Sequence, residues 1–122
     1  MTEIFPVVLV VEDEPVVRLS ACEEFREEGF IVHEAPDAYQ GLSALETNSD
    51  ITLLFTDVQM PGTMNGLHLS FLARRNWPSL HIIVVSGLLT VGMEPLPSGA
   101  VFIPKPYITA TVVDRIRELH AL

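Results

Sequence analysis

Five short apolar runs recur along the chain, and a segment with helical periodicity or turn residues separates each run from the next. The runs are VVLVV (7–11), FIVHEA (30–35), ITLLFT (51–56), HIIVVS (81–86) and AVFIP (100–104). Nearly continuous apolar runs of this length are typical of β-strands that are buried on both faces of a sheet. The pattern therefore predicts five buried strands.

Four of the intervening segments predict helices. Pro15–Glu28 opens with proline at a first-turn position and is followed by Gly29, and a second helix follows Asp37 as its N-cap. A third helix covers Gly66–Asn76 and ends before a Trp-Pro pair, because the residue before proline avoids the α region. The last helix, 107–120, has the clearest amphipathic pattern in the chain.

The connection between the fourth and fifth strands, GLLTVGMEPLPSG (87–99), is short. A parallel crossover needs at least about 10 to 12 residues including its helix, and Pro95 and Pro97 cannot lie in a helix interior. We therefore expect a shortened helix of one or two turns near 88–94, followed by an extended arm through PLPS.

Strands that alternate with helices predict an α/β fold, a doubly wound parallel sheet with right-handed crossovers and helices on both faces. The 122 residues are expected to form one domain, 1–122, with no output domain. In such sheets ligands bind beyond the carboxyl ends of the strands. The residues that directly follow each strand are therefore the candidates for function.

Composition and charge exclude several classes of function. Sixteen acidic and seven basic residues leave a net charge of −9, the wrong sign for binding nucleic acid. The apolar runs are too short to span a membrane, and no secretory signal opens the chain, so a cytoplasmic protein is expected. The single cysteine, Cys22, predicts a core thiol, and the four histidines show no metal-ligand spacing.

Polar side chains follow four of the five predicted strands. Glu12 and Asp13 follow the first, Asp57 the third, Ser86 the fourth and Lys105 the fifth. Each has a plain explanation by itself, as a turn, a helix cap or a solvated charge. Together they put three carboxylates at one sheet edge, where like charges repel and need a counter-ion. Oxygen ligands of this kind suit Mg²⁺, and the lysine adds a charge for an anion.

The sequence resembles the receiver domain of two-component response regulators. The resemblance covers essentially the whole chain and rests on VVEDEP after the first strand, FTDVQMPG and a following NG after the third, VVSG after the fourth and FIPKPY after the fifth, in that order. It implies a flavodoxin-like (βα)5 fold with strand order 2-1-3-4-5. It also implies that Asp57 accepts a phosphoryl group, and that Glu12 and Asp13 hold Mg²⁺ together with Asp57, Glu12 directly or through water. The backbone carbonyl of Gln59 would complete the protein ligands.

The resemblance also assigns residues to the phosphoryl group and to a conformational switch. It implies that Ser86 bonds a phosphoryl oxygen, that Lys105 pairs with the phosphate, and that Phe102 swings inward when the domain switches. The bond between Lys105 and Pro106 is expected to be cis. Three features depart from the commonest pattern: serine replaces threonine at position 86, Gly87 replaces alanine, and the loop after Asp57 has one extra residue.

The leading hypothesis is a stand-alone phosphoacceptor domain that is not a turnover enzyme. Its donor would be a histidine kinase or phosphotransfer protein, and its output a contact with an unknown downstream protein. A monomer or weak dimer is expected, since the shortened fourth helix removes part of the face through which the family dimerises. Two alternatives remain: a Mg²⁺-dependent phosphatase or phosphotransferase with an aspartyl-phosphate intermediate, and a receiver excised from a hybrid kinase or larger regulator. The enzyme alternative would need a second general acid or base, and the residues around TDVQM offer none.

Overall fold

The sheet of this protein contains five parallel strands in the order β2-β1-β3-β4-β5. The computed structural model describes residues 5–88 and 95–121. The strands are β1 (Val7–Val11), β2 (Ile31–Ala35), β3 (Leu53–Asp57), β4 (His81–Ser86) and β5 (Val101–Pro104). The expected parallel sheet and its strand order are confirmed.

Four α-helices are described: α1 (Pro15–Glu27), α2 (Ala38–Thr47), α3 (Gly66–Asn76) and α4 (Thr109–His120). The short helix predicted near 88–94 falls largely on residues 89–94, which lie outside the described residues. Residues 95–97 have no regular secondary structure and lead into a turn at 98–99. No described helix has the length and apolar character that crossing a membrane requires.

The start of α4 differs from the prediction, which began the helix near Tyr107. Ile108 is extended, with φ −93° and ψ 125°, and precedes the first helical residue. Its side chain is 72% exposed, so it does not belong to the buried face that the apolar spacing assigned to it. Apolar periodicity aligned Ile108 with the helix because spacing alone does not locate the first turn.

The two faces of the sheet are covered by different helices. Along β1, Val7, Leu9 and Val11 pack in the core on the side of α2 and α3. Val8 and Val10 point to the other core, on the side of α1 and α4. Side chains alternate between the faces of a strand, so a strand covered on both faces must be apolar at every position. This explains why β1 reads as an unbroken valine-rich run.

Local caps fix where α2 and α3 begin. The Asp37 carboxylate accepts a hydrogen bond from the amide of Gln40 at 2.8 Å, as expected for an N-cap. At α3, Asn65 Oδ1 accepts from the amide of His68 at 3.0 Å, and His68 Nδ1 accepts from the amide of Asn65 at 3.3 Å. The second cap sets the position of α3 beside the carboxyl end of β3.

Candidate functional site

The carboxyl ends of β1 and β3 bring three acidic side chains together. Glu12 and Asp13 follow β1, and Asp57 is the last residue of β3, which pairs directly with β1. One carboxylate oxygen from each of the three lies within 4.8 Å of the others. Within the described part of the chain, this is the only such group of potential metal-ligating His, Cys, Asp and Glu side chains.

Burial makes the carboxylates of Glu12 and Asp57 costly to ionise. Glu12 is 7% exposed and Asp57 is 8% exposed. Burial raises the pKa of the Glu12 carboxyl above its ordinary value, and the nearby charge of Asp57 raises it further. Burial likewise raises the pKa of Asp57, although Lys105 acts in the opposite direction. The two buried carboxyl groups therefore need more positive charge than the lysine provides.

Lys105 is the cation that the fold places against this acidic cluster. Its Nζ lies 3.3 Å from Glu12 Oε1 and 3.4 Å from Asp57 Oδ1. Burial lowers the pKa of Lys105, but attraction to Asp57 and Glu12 outweighs that effect and leaves the pKa above its ordinary value. Three carboxylates against one ammonium leave two negative charges uncompensated. The site thus has the donor atoms and the charge for one divalent cation.

Three other predicted residues lie on, or just beyond, the strands β3, β4 and β5. Ser86 is fully buried at the end of β4, and its Oγ accepts a hydrogen bond from the amide of Leu88 at 3.1 Å. Phe102 on β5 is half-buried and packs against the core on the side of α2 and α3. Gln59 lies exposed two residues beyond β3 and lines an open groove of about 600 Å³ together with Asp13 and Leu88. Of the three clustered carboxylates, Asp13 therefore borders the open groove.

The loop after β3 returns to pack directly on the backbone of Asp57. The Gly66 amide donates to the carbonyl of Val58 at 3.0 Å. A Cβ at Gly66 would lie 2.7 Å from Thr56 Oγ1 and closer still to the carbonyl oxygen of Asp57. In the same loop, Gly62 lies in the left-handed region, at φ 105°. Only glycine fits where α3 begins.

Arg18 belongs to the surroundings of the site, and sequence reasoning missed it. Its Nη1 donates to the backbone carbonyl of Glu12 at 2.8 Å, and its Nε donates to Glu34 Oε1 at 3.2 Å. The available signal was an arginine in the first turns of α1, six residues after Glu12, from which it can reach back to the acidic turn. Arginine on an amphipathic helix usually faces water, so that spacing was weak evidence.

The four histidines lie away from the acidic centre. His68 caps α3 and His33 is on the edge strand β2. His81 is the first residue of the inner strand β4 and His120 the last residue of α4, and their ring centroids are 4.7 Å apart. There His120 Nδ1 donates to the Ile116 carbonyl at 2.7 Å. In the described structure His68 caps a helix, His33 contacts the carboxylate of Asp50, and the rings of His81 and His120 lie against each other.

Comparison with known proteins identifies a matching family along most of the chain. The sequence model of the response regulator receiver domain matches residues 8–117. Over 116 residues the chain is 31% identical to the sensor kinase CckA of Brucella abortus (strain 2308). That match covers 92% of this chain and 12% of the kinase, so the chain spans about an eighth of the length of this relative.

Solved structures show the same fold. A CheY-like response regulator receiver domain from Methanospirillum hungatei JF-1 matches with a TM-score of 0.86 and 27% identity, covering 96% of this chain and 95% of that one. The receiver domain of the hybrid histidine kinase CckA matches with a TM-score of 0.76 and 33% identity, over 92% and 96% of the two chains. The response regulator TrrA from Thermotoga maritima, solved with Mg²⁺ and BeF, has a TM-score of 0.86 at 23% identity over 94% and 99%, a likeness of fold.

Proposed function

The chain belongs to the family of response regulator receiver domains, and we propose that it is a phosphoacceptor that receives a phosphoryl group on Asp57. The observation that carries the proposal is the environment of the Asp57 carboxylate. It is buried, lies beside the carboxylates of Glu12 and Asp13, and contacts the ammonium of Lys105. An oxygen nucleophile that is paired with a cation, next to a carboxylate that borders an open groove, suits transfer of an anionic group.

The residues present fit Mg²⁺ as the cofactor. The carboxylates of Glu12, Asp13 and Asp57, with the backbone carbonyl of Gln59, would hold it, and all of these donors are oxygen atoms. When bound, Mg²⁺ supplies positive charge that offsets the repulsion between the carboxylates and the phosphoryl oxygens. The Mg²⁺ and BeF bound to the Thermotoga maritima relative support this choice of cation.

The proposed donor is a phosphohistidine on a histidine kinase or a phosphotransfer protein. An oxygen of Asp57 bonds to phosphorus while the bond from phosphorus to the imidazole nitrogen breaks, and that nitrogen keeps the electron pair and later takes a proton. The ammonium of Lys105, which is 3.4 Å from Asp57, donates to a phosphoryl oxygen as negative charge shifts onto it. The groove lined by Asp13 and Gln59 gives the donor imidazole access.

The proposed output begins at Ser86. Its hydroxyl accepts from the amide of Leu88 and can still donate its own proton to a phosphoryl oxygen on Asp57. Movement of Ser86 toward that oxygen would carry residues 86–88 with it. Phe102, which is half-buried on the neighbouring strand, would then turn inward and change the surface that a downstream protein reads.

In this proposal the domain transfers the phosphoryl group to itself and does not turn over an external substrate. The same chemistry serves a receiver that acts alone and one that lies within a longer chain. The similarity to the receiver of a hybrid histidine kinase favours partners of the phosphohistidine type in either arrangement.

Intact mass spectrometry tests the proposal directly. Incubation with acetyl phosphate and Mg²⁺ is expected to add one phosphoryl group to the wild-type protein and none to Asp57→Asn. Omitting Mg²⁺ should abolish the gain. Asp50→Asn is the matched control, since Asp50 is an exposed carboxylate away from the acidic centre, and it should be modified like the wild type. Full modification of Asp57→Asn would refute the proposal.

A further inference from the structure

Arg18 connects the edge strand β2 to the acidic turn after β1. One edge of its guanidinium donates through Nε to Glu34 on β2, and Nη1 donates to the backbone carbonyl of Glu12. The Arg18 side chain is only 17% exposed. A guanidinium is planar and presents its donors in a rigid fork, so the position of one partner determines the position of the other.

The amide and the carbonyl of Glu12 are both hydrogen-bonded, one to β2 and the other to an arginine that β2 holds. Its amide donates to the carbonyl of Ala35 at 3.1 Å, and its carbonyl accepts from Arg18, which Glu34 holds. The carbonyl of Glu12 is half of the peptide unit that joins it to Asp13. Holding that peptide plane restricts the directions in which the two neighbouring side chains leave the backbone.

We propose that Arg18, held by Glu34, is a positioning residue that orients the Glu12–Asp13 peptide so that both carboxylates face the cation site. This inference rests on the proposed function, in which that site binds Mg²⁺. Arg18 donates to no carboxylate of the acidic cluster, so it acts on the site through the backbone. Groups that orient metal ligands in this indirect way commonly change metal affinity by about 10- to 100-fold.

Arg26 provides an internal comparison. It lies two turns further along the same face of α1 and reaches the other oxygen of Glu34, with its Nη2 3.7 Å from Oε2. It is 47% exposed and contacts the carbonyl of Val32, not that of Glu12. The two arginines therefore share Glu34 and their charge, and only Arg18 reaches the acidic turn.

The direction in which Mg²⁺ affinity changes when Arg18 is replaced separates a positioning role from a purely electrostatic one. A positive charge near the site opposes the binding of a cation, so losing that charge alone would raise the affinity for Mg²⁺. Losing the hydrogen bond to the carbonyl of Glu12 would free the peptide and lower the affinity. A fall in affinity after removal of a positive charge can therefore come only from lost geometry.

The experiment compares Arg18→Met with Arg26→Met in the full chain. Both changes keep an unbranched apolar stem and remove one positive charge. Titration with Mg²⁺ alone, followed by the NMR amide shifts of Glu12 and Asp13, is expected to show about tenfold weaker binding for Arg18→Met. Arg26→Met should bind Mg²⁺ as tightly as the wild type or slightly more tightly. Thermal denaturation of both variants reports any general loss of stability.

A third variant keeps the test decisive if Arg18→Met does not fold. Arg18→Lys keeps the positive charge but not the rigid planar fork, so it holds Glu34 and the carbonyl of Glu12 less well, and a smaller loss of Mg²⁺ affinity is expected. Unchanged or tighter binding in Arg18→Met would overturn the inference, as would equal losses in Arg18→Met and Arg26→Met. When Arg18→Met does not fold, unchanged affinity in Arg18→Lys overturns it.

The titration contains no phosphoryl donor, which separates this inference from the proposed function. A wild-type protein that binds Mg²⁺ with the expected order of variants, but gains no phosphoryl group, would support the positioning role and refute the proposed function. A wild-type protein that binds no Mg²⁺ would overturn both.

Discussion

Replacing Gly66 by alanine should disturb the backbone of the phosphoacceptor itself. The added Cβ would lie 2.7 Å from Thr56 Oγ1, and closer still to the carbonyl oxygen of Asp57. Carbon and oxygen atoms in close protein contacts are about 3.3 Å apart or more. The start of α3 or the end of β3 must therefore move by at least about 0.6 Å, the difference between that separation and 2.7 Å.

This shift has a cost in stability and a cost in reactivity. Overpacking of a buried site costs about 1 to 3 kcal/mol, and because the closest atom in conflict is the backbone carbonyl oxygen of Asp57, the upper part of that range is expected. For a domain of this size, that range corresponds to a decrease in Tm of about 4 to 12 °C. Misplacing a reacting group by about 1 Å can slow a reaction about 100-fold, so we expect phosphorylation to slow by about 10- to 100-fold.

Two measurements follow the effect of Gly66→Ala. Circular dichroism gives the Tm, and intact mass against time with acetyl phosphate and Mg²⁺ gives the rate of phosphorylation. Gly87→Ala is the control for stability, since a Cβ at Gly87 meets nothing within 4 Å, and it should change the free energy of unfolding by less than about 1 kcal/mol. A Gly66→Ala protein that melts within about 2 °C of the wild type and reacts at the same rate would refute the reasoning.

Three further predictions concern a metal ligand, a thiol and a histidine. Asp13→Asn should weaken Mg²⁺ binding at least about tenfold, since it removes one of three clustered carboxylates, and an unchanged NMR titration would contradict that role. Burial raises the pKa of the Cys22 thiol to about 11 and leaves the side chain inaccessible. Cys22 should therefore react with Ellman's reagent at least about 100-fold more slowly in the folded protein than in guanidinium chloride. Comparable rates in the two conditions would contradict this. Burial, His120 and Arg74 lower the pKa of His81, so the unfolded chain takes up the proton first as the pH falls below 6.5. The free energy of unfolding, measured with urea, should therefore fall on acidification through this range. It should fall less steeply in His81→Gln than in the wild type. An equal dependence of the free energy of unfolding on pH in the two proteins would show that His81 does not contribute.

Much of the fold could be predicted from local patterns. The bounds of β1, β4 and α3 agree with the prediction, because each is marked by an unbroken apolar run or by a cap and a terminating proline. The rule that the carboxyl ends of parallel strands share one edge then led to Glu12, Asp13 and Asp57 as neighbours. Within the described residues the carboxylates do lie together.

Local patterns failed at the start of α4, where no capping side chain marks the first turn. The last helix begins at Thr109, and the exposed, extended Ile108 had been counted in its apolar face. The apolar spacing at this point fits a helix and a preceding extended residue equally well, and packing decides between them.

Contacts between distant parts of the chain were decided by the tertiary structure alone. Lys105 reaches Glu12 across 93 positions, and Arg18 reaches Glu34 across 16. The tight packing of Gly66 on Asp57, and the burial that raises the pKa of that carboxyl, also exist only once α3 docks beside β3. By itself the sequence determined which residues carry charge and which strand ends they follow, since these depend on local composition and on alternation of strands and helices. Distances, desolvation and the orientation of a peptide plane arise when separate elements pack together, so only the folded chain decides them.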